Sequence, residues 1–471
     1  MNQEIVVFDL DHTLIKTDLL QEQILIALKK NPLNFFKIII KMLRGKLALK
    51  TFLTQVAPID PTTLPYNTSV IALARKLKSD GKTVILISAS LDSEVKKIAS
   101  HLDLFSEAHG TTNINLKGFK KVTFIKERLN NLNWSYVGDS IADLPLWKES
   151  QIAYLVAPNT HIVNLVKLQN PNKKVVIIPN EINFFRTYLK GIRAHQWVKN
   201  ILVFTPLLLA HKFNDNMVIV QSLLAFILFS FIASSIYILN DLFDLTADRL
   251  HSKKKTRPWA SGDLSIPLGL ISIVFFSLTS LFITFNCDIS SGLLLLSYFV
   301  LNLLYSFKLK SLLLIDVILL ALMYNLRIIF GGLMADIPIS PWLLTFSVFF
   351  FLGLAFIKRY AELKKHTVSS KQNSRAYQPD DQTMIAIIGV SSSLLSVLVF
   401  ALYLNSPAVI ELYKNNNYLW LITPALLYWV SRTWVLVYRG ILDDDPVAFA
   451  IKDKATYFVG AFIFCILLFS I

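Results

Sequence analysis

Nine apolar segments fill the second part of this 471-residue chain, roughly 198–211, 217–239, 266–285, 289–305, 312–334, 341–357, 383–404, 418–438 and 455–471. Most approach the roughly 20 residues needed to cross about 30 Å of hydrocarbon. A backbone at that depth must satisfy its polar groups internally, so these segments predict a polytopic bundle of about nine transmembrane helices. The first is short and holds Pro206. Overall the chain is 54% hydrophobic and only 17% charged, but the excess is confined to this part. Residues 1–185 have the make-up of an ordinary α/β domain. The expected division is therefore an α/β domain with cap and linker over 1–185 and a membrane domain over 186–471.

Loop charge predicts an orientation. If the amino terminus lies inside, the loops after the second, fourth, sixth and eighth segments are cytoplasmic. They carry Arg249, Lys253, Lys254, Lys255 and Arg257; Lys308 and Lys310; Lys358, Arg359, Lys364, Lys365, Lys371 and Arg375; and Arg439, Lys452 and Lys454. The opposite loops carry Lys212 and Lys414. That is a positive-inside pattern. The start of the chain lacks the basic-then-apolar order of a signal peptide, so the first domain is expected in the cytoplasm and the bundle in the inner membrane. The net charge of +15 reads as basic loops beside a bilayer, not as a nucleic-acid surface. Cys287 and Cys465 lie far apart in no metal-ligand spacing and predict neither a disulfide framework nor a zinc site.

The first half alternates short apolar strands with helical segments, which predicts a parallel sheet covered by helices. The runs Ile5–Phe8, Val84–Ile87 and Ser135–Val137 end at Asp9, Ser88 and Gly138-Asp139, where open parallel sheets bind ligands. A mostly helical insert, about 17–75, is expected to form a cap. Its stretch Phe35–Arg44 is both apolar and basic, which also suits a membrane surface. Residues 160–196 read as a junction.

Asp9 and Asp11, at spacing two, lie on one side of an extended chain. Asp9 can act as a nucleophile and Asp11 as the acid and base for the leaving oxygen and water. Ser88 can hold a phosphoryl oxygen, and Lys121, with Lys117 and Lys120 as neighbours, can neutralise charge. Asp139 and Asp143 supply carboxylate oxygens for Mg2+, together with Asp9 and Asp11. His12 reads as a packing or substrate-edge residue. These positions resemble the haloacid dehalogenase superfamily of phosphatases over residues 1 to about 165. The resemblance implies a HAD-like fold, an aspartyl-phosphate intermediate and the roles just given.

The second apolar segment ends in Asn240-Asp241-Leu242-Phe243-Asp244-Leu245-Thr246-Ala247-Asp248. Spacings of three and four put Asp241, Asp244 and Asp248 on one helical face. Carboxylates at a membrane helix end are costly and point to function. Mg2+ carrying a diphosphate would bridge them. Lys254 and Arg257 follow, able to take further phosphate charge. The stretch resembles the first signature of the UbiA superfamily of membrane prenyltransferases, and Tyr305–Lys310 and Asp316 also fit that family. The resemblance makes Asn240, Tyr305 and Lys308 candidate substrate contacts.

One departure matters. In the family it resembles, the aromatic prenyltransferases carry a second Asp-rich motif after the sixth helix, whereas this chain has Lys358-Arg359-Tyr360-Ala361-Glu362-Leu363, with Asp380 and Asp381 well downstream. That run, Gly191–Asn200 and Asp444–Ala450 are similar to the decaprenyl-phosphate phosphoribosyltransferase branch. The similarity implies phosphoribosyl transfer from phosphoribosyl diphosphate to a polyprenyl phosphate lipid held by Lys199, Lys308, Lys358 and Arg359. The rival expectation is a prenyl diphosphate donor and an aromatic or quinone-type acceptor, beside an independent phosphatase. A non-catalytic scaffold or transporter lacks support from any inverted repeat of broken helices. Arg327, inside an apolar segment, must face the bundle interior or a polar cavity, paired with a carboxylate or touching ligand.

Overall fold

The computed structural model describes residues 4–130, 132–169, 171–179, 182–366, 376–442 and 446–470. Lys371, Arg375, Asp444 and Asp445, which figured in the loop-charge and motif readings, lie outside the described residues. The chain divides into two compact units. One comprises Met1–Ala194 with Tyr237–Ile273, the other His195–Ile236 with Val274–Ile471.

The first unit is built on six parallel strands: β1 (Ile5–Phe8), β2 (Thr83–Leu91), β3 (Glu107–Thr111), β4 (Trp134–Gly138), β5 (Ile152–Val156) and β6 (Lys174–Ile178), in the order β3-β2-β1-β4-β5-β6. β1 is central, pairing Ile5 with Thr83 on one side and with Trp134 on the other. Alternation along the strands feeds two cores. Val6, Phe8, Val84 and Leu86 pack on one face, and Ile5, Val7, Ile85 and Tyr136 on the other. This is the expected double-faced α/β sheet. Sequence reading found three of its strands. The stretch from 160, read as a junction, instead adds the helix Thr160–Gln169 and the edge strand β6.

The cap is three helices, Leu19–Lys30, Asn34–Leu43 and Lys46–Val56, joined by Ala27, Ile38, Leu49, Leu53 and Ala57. Asp18 caps the first of them by accepting from Gln21 N at 3.1 Å.

Among the described residues seven helices are long and apolar enough to span a bilayer: Asn216–Phe243, Ile266–Cys287, Ile289–Phe307, Ile315–Met334, Pro341–Lys364, Pro379–Tyr403 and Asn416–Tyr438. Lys454–Ser470 is an eighth, shorter apolar helix. The expected segment 198–211 is not one helix. It forms 3₁₀ turns over Ala194–Phe204 and a short helix, Thr205–Leu209, with Pro206 in its first turn. Of the nine apolar segments, seven reach spanning length as single helices among the described residues. Inside the second unit, a Cβ on Gly353 would stand 2.1 Å from Ser393 Oγ, so glycine sets the close approach of two neighbouring helices.

Two candidate phosphate sites

The carboxyl ends of β1, β2 and β4 bring the first set of residues together. The Asp9 backbone N–H donates to Val137 O at 3.0 Å, and Asp9 Oδ1 accepts from Leu10 N at 2.7 Å. Asp9 Oδ2 faces Lys121 Nζ at 2.9 Å. Lys121 is 2% exposed and also donates to Tyr136 Oη at 2.7 Å. Lys121 is thus the lysine of the three neighbours that lies on Asp9. Tyr136 Oη stands 3.2 Å from Asp9 Oδ2 and 3.1 Å from Asp143 Oδ1. Burial and the adjacent Asp143 and Asp9 carboxylates raise its pKa well above the phenol range.

Asp11 is oriented from both sides. Oδ1 accepts from Leu19 N at 2.9 Å, and Oδ2 accepts from Ser90 Oγ at 2.9 Å and Ser88 Oγ at 3.4 Å. A register shift in β2 between Ile87 and Leu91 accompanies the aim of both serines. Burial, then the charge of Asp18, raises the Asp11 pKa to about 7. Asp139 accepts from Thr13 Oγ1 at 3.2 Å, and its pKa is raised to about 8 by burial and by Asp143 and Asp9. Asp143 accepts from the backbone N–H of Asp139 and of Ser140, each at 3.2 Å, and burial raises it too. Gly138 makes that packing feasible: a Cβ there would meet Asp143 Oδ2 at 2.6 Å. Asp9, Asp11, Asp139 and Asp143 supply oxygen donors, with Lys121 on Asp9 and Lys50 near Asp11, and the chemistry of that donor set fits a divalent cation of magnesium type. Among the described residues no group of three or more His, Cys, Asp or Glu is already arranged around a metal position.

His12 adopts a left-handed conformation, φ +55°, at the mouth of a 550 Å³ cavity. His12, Lys16, Asn67, Ser69, Asp139 and Asp263 line it. Lys16 Nζ and Asp263 Oδ1 pair at 2.8 Å.

The second set follows the helix Asn216–Phe243. That helix ends before Asp244, and a short helix, Leu245–Leu250, restarts after it. The three carboxylates do not share one partner. Arg193 makes a two-pronged contact with Asp241, its Nε 3.0 Å from Oδ2. Arg257 Nη1 reaches Asp241 at 3.0 Å and Asp248 at 2.6 Å. Asp244 pairs with Lys29 Nζ at 2.8 Å, with both side chains near half exposure. Burial raises the Asp248 pKa against the pull of Arg257. Arg249 turns the other way. Its fork holds Glu22 at 2.6 and 3.0 Å, with both side chains nearly fully buried. Asn240 is half-buried and Lys254 exposed, its charge favouring the ionised form of Asp248.

Within the second unit, Arg359 is 1% exposed and lies between Asp316 and Glu362, with Tyr305 Oη at 3.3 Å. Tyr377 donates to the other oxygen of Asp316. Arg359, expected to hold the lipid phosphate, is therefore engaged by two carboxylates here. Arg327 does face the bundle interior. Its contacts include Asn200 Oδ1 and Tyr298 Oη, both at 3.0 Å, and the rings of Phe229, Tyr298 and Tyr324. Neutral groups and π faces thus surround it, in place of the carboxylate considered from sequence. Lys308 is exposed, and Lys199 and Lys358 are half-buried. An apolar cavity of 750 Å³ lies among Trp342, Phe346, Phe400, Tyr403, Leu426 and Leu467.

Sequence reasoning missed Ser90, Tyr136, Arg193 in its contact with Asp241, and the Arg249–Glu22 pair. Ser90 had a signal, since it shares a strand face with Ser88 two residues before it.

Among the described residues, seven helices of spanning length and an acidic loop fit a multi-pass membrane protein of the prenyltransferase class. The chain belongs to the UbiA prenyltransferase family, which matches residues 201–466. It is 34% identical over 460 residues to the uncharacterized protein y4nM of Sinorhizobium fredii, covering 97% of this chain and 89% of that one. Nodulation protein NoeC of Azorhizobium caulinodans is 31% identical over 60% of this chain and 91% of its own length. Decaprenyl-phosphate phosphoribosyltransferase of Mycobacterium tuberculosis is 30% identical over 48% of this chain and 77% of its own. Among solved structures, a UbiA homolog from Archaeoglobus fulgidus bound to GPP and Mg2+ superposes with a TM-score of 0.45 at 18% identity, covering 59% of this chain and 99% of that one. A phospho-aspartyl intermediate analogue of phosphoserine phosphatase gives 0.28 at 16%, over 40% and 99%. The haloacid-dehalogenase likeness of the first half stands on its sheet order and on where that sheet places Asp9, Asp11, Ser88, Lys121, Asp139 and Asp143.

Proposed function

We propose that this chain is a two-site enzyme acting on a polyprenyl phosphate lipid. The UbiA half transfers phosphoribose from phosphoribosyl diphosphate, and the HAD-like half removes the terminal phosphate of the product. The carrying observation is that one chain holds two sets of paired carboxylates and cations, Asp9 against buried Lys121 and Asp241 between Arg193 and Arg257, and both suit a phosphate substrate. Two features support the donor. Similarity to decaprenyl-phosphate phosphoribosyltransferase covers about half of the chain. The place where the aromatic prenyltransferases keep a second acidic motif holds instead Arg359, clamped by Asp316 and Glu362.

In the first site an Asp9 oxygen attacks phosphorus and the ester P–O bond breaks. The departing alkoxide takes the proton of Asp11, whose raised pKa suits an acid and base near neutrality. Asp11 then takes a proton from water as it attacks the aspartyl-phosphate, releasing phosphate and restoring Asp9. Lys121 and Ser88 neutralise and orient the transferring oxygens. Asp9, Asp139 and Asp143 would hold magnesium, with Asp11 beside them, adding charge neutralisation. In the second site an oxygen of the lipid phosphate attacks the anomeric carbon and diphosphate leaves with the bonding pair. Arg257, between Asp241 and Asp248, is placed to share its guanidinium with that diphosphate. Asp241, Asp244 and Asp248 would hold magnesium there. Domains of 1–185 and 186–471 complete the proposal on composition, and an inner-membrane bundle with a cytoplasmic first domain on loop charge.

The test is to incubate purified protein with polyprenyl phosphate, labelled phosphoribosyl diphosphate and magnesium, then identify the lipid by mass. Wild type should yield polyprenyl-phosphoryl ribose, and Asp9→Asn its 5-phosphorylated form. Identical phosphorylated lipid from both proteins rejects the coupled reading. Label from prenyl diphosphate entering an aromatic acceptor establishes the rival.

A further inference from the structure

The cap contains a helix that faces outward with the wrong chemistry for water. In Asn34–Leu43 the inward positions are Asn34, bonded to Ala27 O at 2.9 Å, and Ile38, packed with Leu49 and Leu53. The rest of the surface is apolar: Phe35, Phe36, Ile39, Ile40, Met42 and Leu43 are all exposed, Phe36 by 63% and Leu43 by 80%, and Leu33 extends the patch. Isolated exposed apolar side chains are ordinary, but a continuous set along one helix marks an interaction surface. Charge identifies the partner. From Gln23 to Ile59 there is no Asp or Glu, while Lys37, Lys41, Arg44 and Lys46 lie in or next to the helix. Lys37 and Arg44 are exposed beside the patch. Apolar groups bordered by cations, with no anion among them, match a leaflet of anionic headgroups over hydrocarbon. Later in the same chain, Asn216–Phe243 is long and apolar enough to span a bilayer.

We infer that the helix Asn34–Leu43 lies in the headgroup layer of an anionic membrane, with Phe35, Phe36, Ile39, Ile40 and Leu43 in the acyl boundary and Lys37 and Arg44 on the phosphates. The cap over Asp11 is thereby seated on the bilayer, independently of what either site transforms. The short helix Phe184–Gly191 repeats the composition on a smaller scale, exposing Phe184 and Phe185 beside Arg186 and Lys190.

The experiment uses the full chain in nanodiscs of phosphatidylcholine with or without about one third phosphatidylglycerol. Nitroxides are attached at Phe36→Cys, Ile40→Cys and Leu43→Cys, with Lys96→Cys as a distant control, after Cys287→Ser and Cys465→Ser. Oxygen accessibility should exceed that of a nickel chelate severalfold at the three cap positions and not at the control. Adding the anionic lipid should deepen the labels, and Lys37→Glu with Arg44→Glu should at least halve that gain. Free access of the chelate at the cap positions overturns the inference. Spin–spin broadening between copies overturns it in favour of a second chain, and depth unaffected by lipid charge overturns the headgroup assignment.

Discussion

The two acidic sites solve the same electrostatic problem in opposite ways. Around Asp9, four carboxylates have two ammonium groups near them, Lys121 on Asp9 and Lys50 near Asp11, and Asp11, Asp139 and Asp143 have raised pKa values. Along Asp241–Asp248, each carboxylate already has a basic partner: Arg193 and Arg257 on Asp241, Arg257 on Asp248, Lys29 on Asp244. The first set is short of positive charge until a cation and a phosphoester arrive together. The second is balanced beforehand, and its guanidinium groups can be handed to an incoming anion. Sequence spacing alone shows acidic residues in both cases. The difference comes from which cations the fold carries to them.

The largest effect that would break this comparison is at the nucleophile. Asp9→Asn should lower hydrolysis of acetyl phosphate by at least about a thousandfold, as expected when a covalent step is lost, with transfer in the membrane half unchanged. Hydrolysis at the wild-type rate would remove Asp9 from the chemistry. Next, Asp241→Ala should cost transfer at least about two orders of magnitude. It should also lower stability by about 3–5 kcal/mol, because Arg193 and Arg257 lose the buried partner they share. Denaturant unfolding separates this from a purely catalytic loss. The third effect sharpens the contrast in charge. Magnesium should raise the unfolding temperature of the wild type, by an amount corresponding to about 2.7 kcal/mol at one hundred times its dissociation constant for a single site. Asp139→Asn should lose the share of that shift that the Asp9 site supplies, leaving the share of the Asp241–Asp248 set, and Lys29→Ala should keep the first share. An unchanged shift in Asp139→Asn would mean that no magnesium binds at the Asp9 site. The smallest effect is on Asp244. Its pair with Lys29 is half exposed, so Lys29→Ala should change stability by no more than about 1 kcal/mol. A larger loss in a double-mutant cycle would show that the pair is less solvated than its exposure implies.

What the sequence revealed, and what it hid, follows from the range over which each feature is determined. Asp9, Ser88 and Asp139 were legible because strand ends in a parallel sheet all open to one side, so three local signals converge without knowledge of the fold. β3 was not, since Glu107-Ala108-His109-Gly110-Thr111 is a polar edge strand whose place depends on β2. β6 was hidden by flanking lysines and asparagines that resemble a linker. Hydropathy counted 198–211 as a span, although Pro206 and tight 3₁₀ turns keep it from forming one long helix. The Asp241–Asp248 spacing gave the acidic cluster but not its division, because Arg193 lies 48 residues from Asp241. Asp244 leaves the common face because the helix breaks there.

The Arg249–Glu22 pair carries a consequence for descent. A guanidinium and a carboxylate buried this deeply are mutually dependent: either one alone is an uncompensated charge in a low-dielectric setting. A lineage that kept the acidic loop but shed the cap helix would inherit an arginine with nowhere to discharge. Natural chains of that reduced kind should therefore show another residue where this one has Arg249, and chains retaining both should change the two positions together. Position 249 thus becomes a readable scar of whether the two segments have travelled through evolution as one piece.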